Sequence, residues 1–342
     1  MAYYVDDYME RLYRENKPRF DIDKIQNGRD LRDFQSGMYA AYVSRLGGMP
    51  EPRPLDTAAV YEKKCEGYTR VKIEYTVADG FRAPAYVLIP DKPSGGAVVA
   101  LAGHGYGVAD IVGLKENGEE RAAGDDPGYH KNFAVEIVKR GFIVAAPELF
   151  GFGELTLAPG GKFPNEGSSC YPLSTQLLMY GKTMAGMRVW QASSMLDYLL
   201  ERGDVDPGRI GAMGISGGGL ASSFFAAYDW RVKACVVSGY LCTFKDSVMG
   251  VHHCVDNFIP GILNNGEMAD LFALIAPRPL LIEAGTKDDI FPIDAVKSSY
   301  ARLKSLYGRL GADDKIDIDI FDGDHQISGA VAYDFLAERL KA

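Results

Sequence analysis

Six short apolar runs separated by segments of helical length constrain this chain more than any other feature of its sequence. They are residues 97–103 (AVVALAG), 142–148 (FIVAAPE), 209–214 (RIGAMG), 234–239 (ACVVSG), 279–285 (PLLIEAG) and 316–321 (IDIDIF). Most are too uniformly apolar for a strand with one wet face, which suits a parallel sheet covered by helices on both sides. The segments between them carry the 3.6-residue period of packed helices, as in Val189, Ala192, Leu196, Leu199 and Leu200, closed by Gly203. Two further runs, residues 70–77 (RVKIEYTV) and 82–90 (RAPAYVLIP), flank Asp79-Gly80, a strong hairpin-turn signal. Eight strands are therefore expected in an open, mostly parallel, doubly wound α/β sheet with an antiparallel hairpin at its start.

Residues 1–60 read as a polar, arginine-rich helical extension, and residues 61–342 as the main domain. Tyr8, Met9, Leu12 and Tyr13 share one helical face, so this segment is expected to dock onto its own body or onto a second subunit; a homo-oligomer stays open. Three connections, residues 104–131, 151–175 and 241–268, are long for a compact domain. Each follows the carboxyl end of an expected strand, where open α/β sheets place their ligands.

Net charge is −9 over 342 residues, and no lysine or arginine cluster tracks a phosphate backbone, so nucleic acid is not an expected partner. No apolar run approaches the roughly 18 residues of a membrane span, and the first residues lack the form of a signal peptide. The five cysteines, Cys65, Cys170, Cys235, Cys242 and Cys254, are scattered and odd in number, as in a reducing cytoplasmic setting.

Chemistry is concentrated at Gly214-Ile215-Ser216-Gly217-Gly218. The G-x-S-x-G pattern is weak alone, but here it ends a strand and opens a helix, the setting of a nucleophile elbow. Glycines at 214 and 218 clear space around a sharp turn, and the following helix aims its free N–H groups at the serine. A serine hydroxyl needs a base, and the base needs a carboxylate to orient it. Both are found in order along the chain: Asp288, three residues past Gly285, and His325, in the loop after the last strand. Asp289 is the rival acid. Gly217 supplies one backbone oxyanion donor, and Tyr106, in the His104-Gly105-Tyr106-Gly107 loop, is assigned the second. His104 is read as structural support, and Glu148 or Glu154 as an organiser of the loops. Tyr106, Phe150, Phe152, Phe258 and Ile259 are expected to line the substrate pocket. Such a triad needs no metal or organic cofactor, and adjacent His252, His253 and Cys254, which do not readily converge on one tetrahedral ion, are read as part of a loop lining the substrate pocket.

Through AGHGYG, GFIVAAPELFGFGE, DPGRIGAMGISGGG, IAPRPLLIEAGTKDDIFP and DGDHQ, the chain from about residue 70 onward resembles the α/β-hydrolase superfamily. Within it, the sequence is similar to the serine esterases related to dienelactone hydrolases and acetyl-xylan esterases. Dienelactone hydrolases proper use cysteine where this chain has Ser216. The deacetylases carry Arg-Gly-Gln where it reads Phe150-Gly151-Phe152, and Gln where it has Gly217. The resemblance implies an α/β-hydrolase fold and hydrolysis of small carboxylic esters, short acyl and acetyl esters of carbohydrates among them. The alternatives are a peptidase or carbon–carbon bond hydrolase using the same three residues, or a catalytically silent binding protein on this fold.

Overall fold

The computed structural model describes residues 4–163 and 168–341. Residues 164–167 of the expected 151–175 insertion and residues 1–3 and 342 at the termini lie outside the described residues. Among the described residues, nine strands form one sheet: β1 (Ala58–Cys65), β2 (Tyr68–Ala78), β3 (Phe81–Pro90), β4 (Ala97–Leu101), β5 (Ile143–Pro147), β6 (Ile210–Ile215), β7 (Ala234–Ser238), β8 (Leu280–Gly285) and β9 (Ile316–Phe321). Their spatial order is β1-β2-β3-β5-β4-β6-β7-β8-β9. The first three strands are antiparallel and join the rest through an antiparallel β3–β5 pair; every later pairing is parallel. The six apolar runs are the six parallel strands, and β4 to β8 are buried along their whole length. Asp79-Gly80 makes the β2–β3 turn, with Gly80 in the left-handed region at φ 70°.

The expected count of eight strands is one short. β1 was hidden because nearly all of it is exposed, Val60 and Tyr61 included, so it has no alternating apolar pattern. Lys63 and Lys64 mark it as an edge strand, where lysines discourage further pairing. It also crosses the boundary placed after residue 60.

The helices are α1 (Asp6–Glu15), α2 (Gly28–Arg45), α3 (Phe133–Val138), α4 (Cys170–Met179), α5 (Met184–Glu201), α6 (Gly217–Tyr228), α7 (Met268–Phe272), α8 (Ile293–Arg309) and α9 (Ala332–Arg339). Most of the lead-in segment is bound into the body. Leu31, Met38 and Tyr42 of α2 are buried in the same core as the sheet, and the Tyr42 hydroxyl donates to the Phe224 carbonyl at 2.7 Å. Burying side chains of this size stabilises by about 2 kcal/mol each. Leu46 reaches α5 so closely that a Cβ on Gly186 would stand 2.3 Å from its carbonyl oxygen. Thr183 caps α5 by accepting the Gly186 N–H at 3.0 Å, and its own hydroxyl donates to Leu46 O. In contrast α1 buries no residue, and Tyr8, Met9 and Leu12 remain about half exposed; Tyr13 reaches the body by donating to Glu267 at 2.8 Å, and Glu10 by pairing with Lys245 at 3.2 Å.

The 104–131 connection is not surface elaboration. Val108, Ile111, Val112 and Leu114 belong to a second core on the far side of the sheet, with α3 and α9. Among the described residues, no helix is long and apolar enough to cross a membrane.

Candidate active site

Ser216 stands between β6 and α6 at φ 59°, ψ −122°, a conformation a side chain rarely adopts. Holding such a residue costs about 1–3 kcal/mol, which the packing around it must supply. The neighbouring glycines show how tight that packing is. A Cβ at Gly218 would lie 1.9 Å from the Leu101 carbonyl oxygen, and one at Gly214 would lie 2.2 Å from the Gly218 carbonyl oxygen. Gly219 has its own reason: a Cβ there would meet Ser238 O at 2.7 Å and the Tyr240 Cβ at 2.8 Å. Only a glycine run lets α6 press against both β4 and the end of β7. Gly217 is the first residue of α6, so its N–H belongs to the unsatisfied, positively polarised end of the helix.

Asp288 and His325 meet as the spacing predicts. Asp288 Oδ2 lies 2.7 Å from His325 Nδ1, while Oδ1 accepts the backbone N–H groups of Ile290 and Phe291 at 2.9 and 3.0 Å. Those two bonds fix the carboxylate, so the imidazole carries its proton on Nδ1 and presents the lone pair of Nε2. Nε2 is buried and has no hydrogen-bond partner among the described residues. Asp289, the rival carboxylate, is exposed to solvent. Phe291 stacks on His325 at 5.6 Å between ring centroids, and Tyr129 flanks it at 5.5 Å.

A cavity of about 300 Å³ at the carboxyl edge of the parallel strands is lined by Ser216, Gly217 and His325, with Tyr129, His104 and Asn257 among its walls. His252, His253, Cys254, Ile290 and Phe291 complete it. Four of the five histidines in the chain face this space. The fifth, His130, stands behind it: burial drives its pKa down to about 3, and its neutral Nε2 accepts the Gly103 N–H at 2.9 Å.

His104 does support the loops, through a larger network than a strand-end hydrogen bond. Its Nε2 lies 3.1 Å from Asp256 Oδ2, which also takes Arg188 Nη1 at 2.7 Å. Burial favours the neutral ring, but the hydrogen bonds to Asp256 and Cys170 outweigh it and raise the His104 pKa to about 9. Glu148 is a second organiser. It accepts Val108 N–H at 3.0 Å and Glu154 N–H at 3.2 Å, tying the loop after β4 to the loop after β5. Burial raises its pKa to about 7. Glu154 faces outward and pairs with Lys72 at 2.7 Å.

The expected pocket residues divide. Tyr106 is not brought to the cavity: its amide donates to Asp110 Oδ2 at 3.1 Å, and its hydroxyl is held by Arg121. That amide is engaged within its own turn and does not face the serine cavity. Phe150 packs edge-on against Phe81, away from the cavity. Phe152 is buried with its ring 4.8 Å from His104, and it lines a neighbouring space of about 280 Å³. Phe258 and Ile259 line an apolar groove of about 310 Å³ with Leu178, Phe244 and Val248. Asn257 borders both this groove and the serine cavity. Sequence reasoning missed Tyr129, whose hydroxyl donates to the His104 carbonyl.

A family model described as the Abhydrolase family matches residues 4–305, a span that includes the lead-in segment as well as the sheet. The chain belongs to the Abhydrolase family. A Bacillus subtilis (strain 168) protein with the name "Putative hydrolase YtaP" is 30% identical over 276 residues, covering 79% of this Abhydrolase chain and 86% of the other. Among solved structures, a "putative acetyl xylan esterase" from Bacteroides fragilis NCTC 9343 superposes with a TM-score of 0.75 at 19% identity, covering 94% of this chain and 83% of that one. A glucuronoyl esterase from Solibacter usitatus gives 0.64 at 16% identity, covering 89% and 92%. At these identities the two structures show that the Abhydrolase fold is shared.

Proposed function

We propose that this protein is a serine esterase that hydrolyses carboxylic esters of small molecules, carbohydrate esters in particular, through Ser216, His325 and Asp288. The observation that carries the reading is the buried, unpartnered Nε2 of His325, held by Asp288 on its other side, in one cavity with a strained serine. A base in that position accepts the Ser216 proton as the hydroxyl attacks the ester carbonyl, then returns it to the leaving alcohol. Asp288 keeps the tautomer and stabilises the imidazolium. The Gly217 N–H and the positive end of α6 receive the charge that develops on the carbonyl oxygen. Water, activated by the same histidine, then releases the acid from the acyl-serine.

The substrate class rests on the shape of the site and on its relatives. A cavity of about 300 Å³ walled by several hydrogen-bonding side chains suits a short acyl group on a polar alcohol. The structural neighbours bear the names acetyl xylan esterase and glucuronoyl esterase. The test is a panel holding the leaving group constant while the acyl group lengthens, run beside acetylated xylose oligomers and alkyl esters of glucuronic acid. Hydrolysis of short acyl esters by the wild type, absent in Ser216→Ala, is expected. Turnover unchanged in Ser216→Ala contradicts the proposal.

A further inference from the structure

His104, Cys170, Cys254 and Asp256 come from three separate segments: the loop after β4, the first residue of α4, and the connection after β7. One ligand-type atom from each, His104 Nε2, a sulfur from each cysteine and an Asp256 carboxylate oxygen, all lie within 4.8 Å of one another. We infer that these four side chains form a binding site for a thiophilic divalent cation of the zinc class, bracing the loops that frame the serine cavity.

The donor set is the first argument. Two sulfurs, one imidazole nitrogen and one carboxylate oxygen make a mixed four-ligand set of the kind tetrahedral zinc accepts. Ligand atoms around such an ion stand about 3.3–3.8 Å apart, given metal–ligand distances near 2.0–2.3 Å. Two of the separations lie within a few tenths of an ångström of that range, His104 Nε2 being 3.1 Å from Asp256 Oδ2 and 4.0 Å from Cys170 Sγ, and no pair in the set exceeds 4.8 Å. Adjacent His252 and His253 are not part of the set. His252 is exposed and the His253 Nε2 is engaged by Ser247 Oγ at 2.8 Å, so Cys254 finds its partners across the fold instead of along the chain.

Charge is the second argument. With a cation holding both cysteines as thiolates and His104 neutral, the thiolates and the carboxylate would carry three negative charges in a place where Cys170 and Asp256 are almost wholly buried. Arg188, fully buried, contributes one positive charge, with Nη1 2.7 Å from Asp256 and Nη2 3.6 Å from Cys170 Sγ. In that state the balance would be minus two, which a divalent cation neutralises. Arg188 also donates Nε–H to the Phe150 carbonyl at 3.1 Å, which fixes the guanidinium as an outer-shell donor to a bound thiolate and carboxylate. An entry path exists, because His104 and Cys254 line the serine cavity while His104 and Cys170 line its neighbour.

Cation binding would link this site to the serine. With the lone pair of His104 Nε2 on the metal, the neutral ring carries its proton on Nδ1. That atom lies on the Gly217 side, 3.2 Å from where a Cβ at Gly217 would be.

The full-length protein, reduced and stripped with chelator, is titrated with Co2+ and then with Zn2+, a readout independent of any turnover. About one equivalent of Co2+ should produce the visible absorption of tetrahedral cobalt with a thiolate charge-transfer band in the near ultraviolet, and Zn2+ should displace both. Cys254→Ser should weaken the charge-transfer band and lower affinity by at least about tenfold, and Cys170→Ser should do the same. Cys65→Ser, on the far edge strand, should bind as the wild type does. Circular dichroism and thermal melting of the chelated proteins separate loss of the site from loss of the fold. Absence of the cobalt spectrum in the folded, fully reduced wild type overturns the inference, as does a spectrum unchanged in Cys254→Ser and Cys170→Ser.

Discussion

Asp288 divides its carboxylate between two tasks: Oδ1 takes the Ile290 and Phe291 amides, and Oδ2 holds His325 Nδ1 at 2.7 Å. Asn at 288 would keep the volume but present an amide N–H to one of these donors. Asp288→Asn is therefore expected to reduce kcat by about 10³- to 10⁴-fold with an unchanged circular dichroism spectrum. Asp289→Asn, at an exposed position, should leave kcat unchanged. Steady-state kinetics of the two variants on one short-chain ester decides the matter; equal losses would remove Asp288 from its role.

The elbow tolerates no added atom at one glycine. Gly218→Ala places a methyl carbon 1.9 Å from the Leu101 carbonyl oxygen, backbone that cannot swing aside. We expect destabilisation of about 3 kcal/mol or failure to fold, read from the urea midpoint or from soluble yield. A variant as stable as the wild type would mean that α6 does not lie against β4 as described.

Much of this site was legible because each of its three principal residues follows a strand end, and strand ends are marked by abrupt loss of apolar character. Ser216, Asp288 and His325 were found that way. Tyr106 was misplaced for a local reason: Asp110, four residues on, captures its amide, and loop turns of this kind leave no periodic signal. β1 escaped because it is exposed and charged, so burial wrote no pattern into it. The His104, Cys170, Cys254 and Asp256 cluster was invisible because its members lie on three segments far apart in the chain.

Glu283 makes stability depend on pH. It is buried at the end of β8, accepts the Gly329 N–H at 2.8 Å and bonds Ser238 Oγ, and burial raises its pKa from the ordinary 4.5 to about 7. The folded state thus binds a proton that the unfolded chain releases between those values. Stability from this group is full below about 4.5 and falls as pH rises toward about 7. Glu283→Gln mimics the protonated form, accepting from Gly329 and donating to Ser238. Its stability relative to wild type should rise by up to about 3 kcal/mol between pH 4.5 and 8, measured by urea unfolding across that range. A pH-independent difference would contradict the assignment.

Phe258 lines the apolar groove that meets the serine cavity at Asn257. If esters with a larger apolar group extend into that groove, Phe258→Ala should raise their KM by about tenfold. Acetyl esters of small alcohols, contained in the cavity, should keep the wild-type KM. Equal effects on both classes would separate the groove from substrate binding.

The central claim is that Ser216 is the nucleophile, and covalent trapping tests it most directly. The native protein is treated with a fluorophosphonate and its peptides are mapped by mass spectrometry. A single adduct on Ser216, formed in step with loss of ester hydrolysis and slowed in Asp288→Asn, is the predicted result. Complete loss of activity with the adduct elsewhere, or an unlabelled Ser216 in protein that hydrolyses esters, would contradict it.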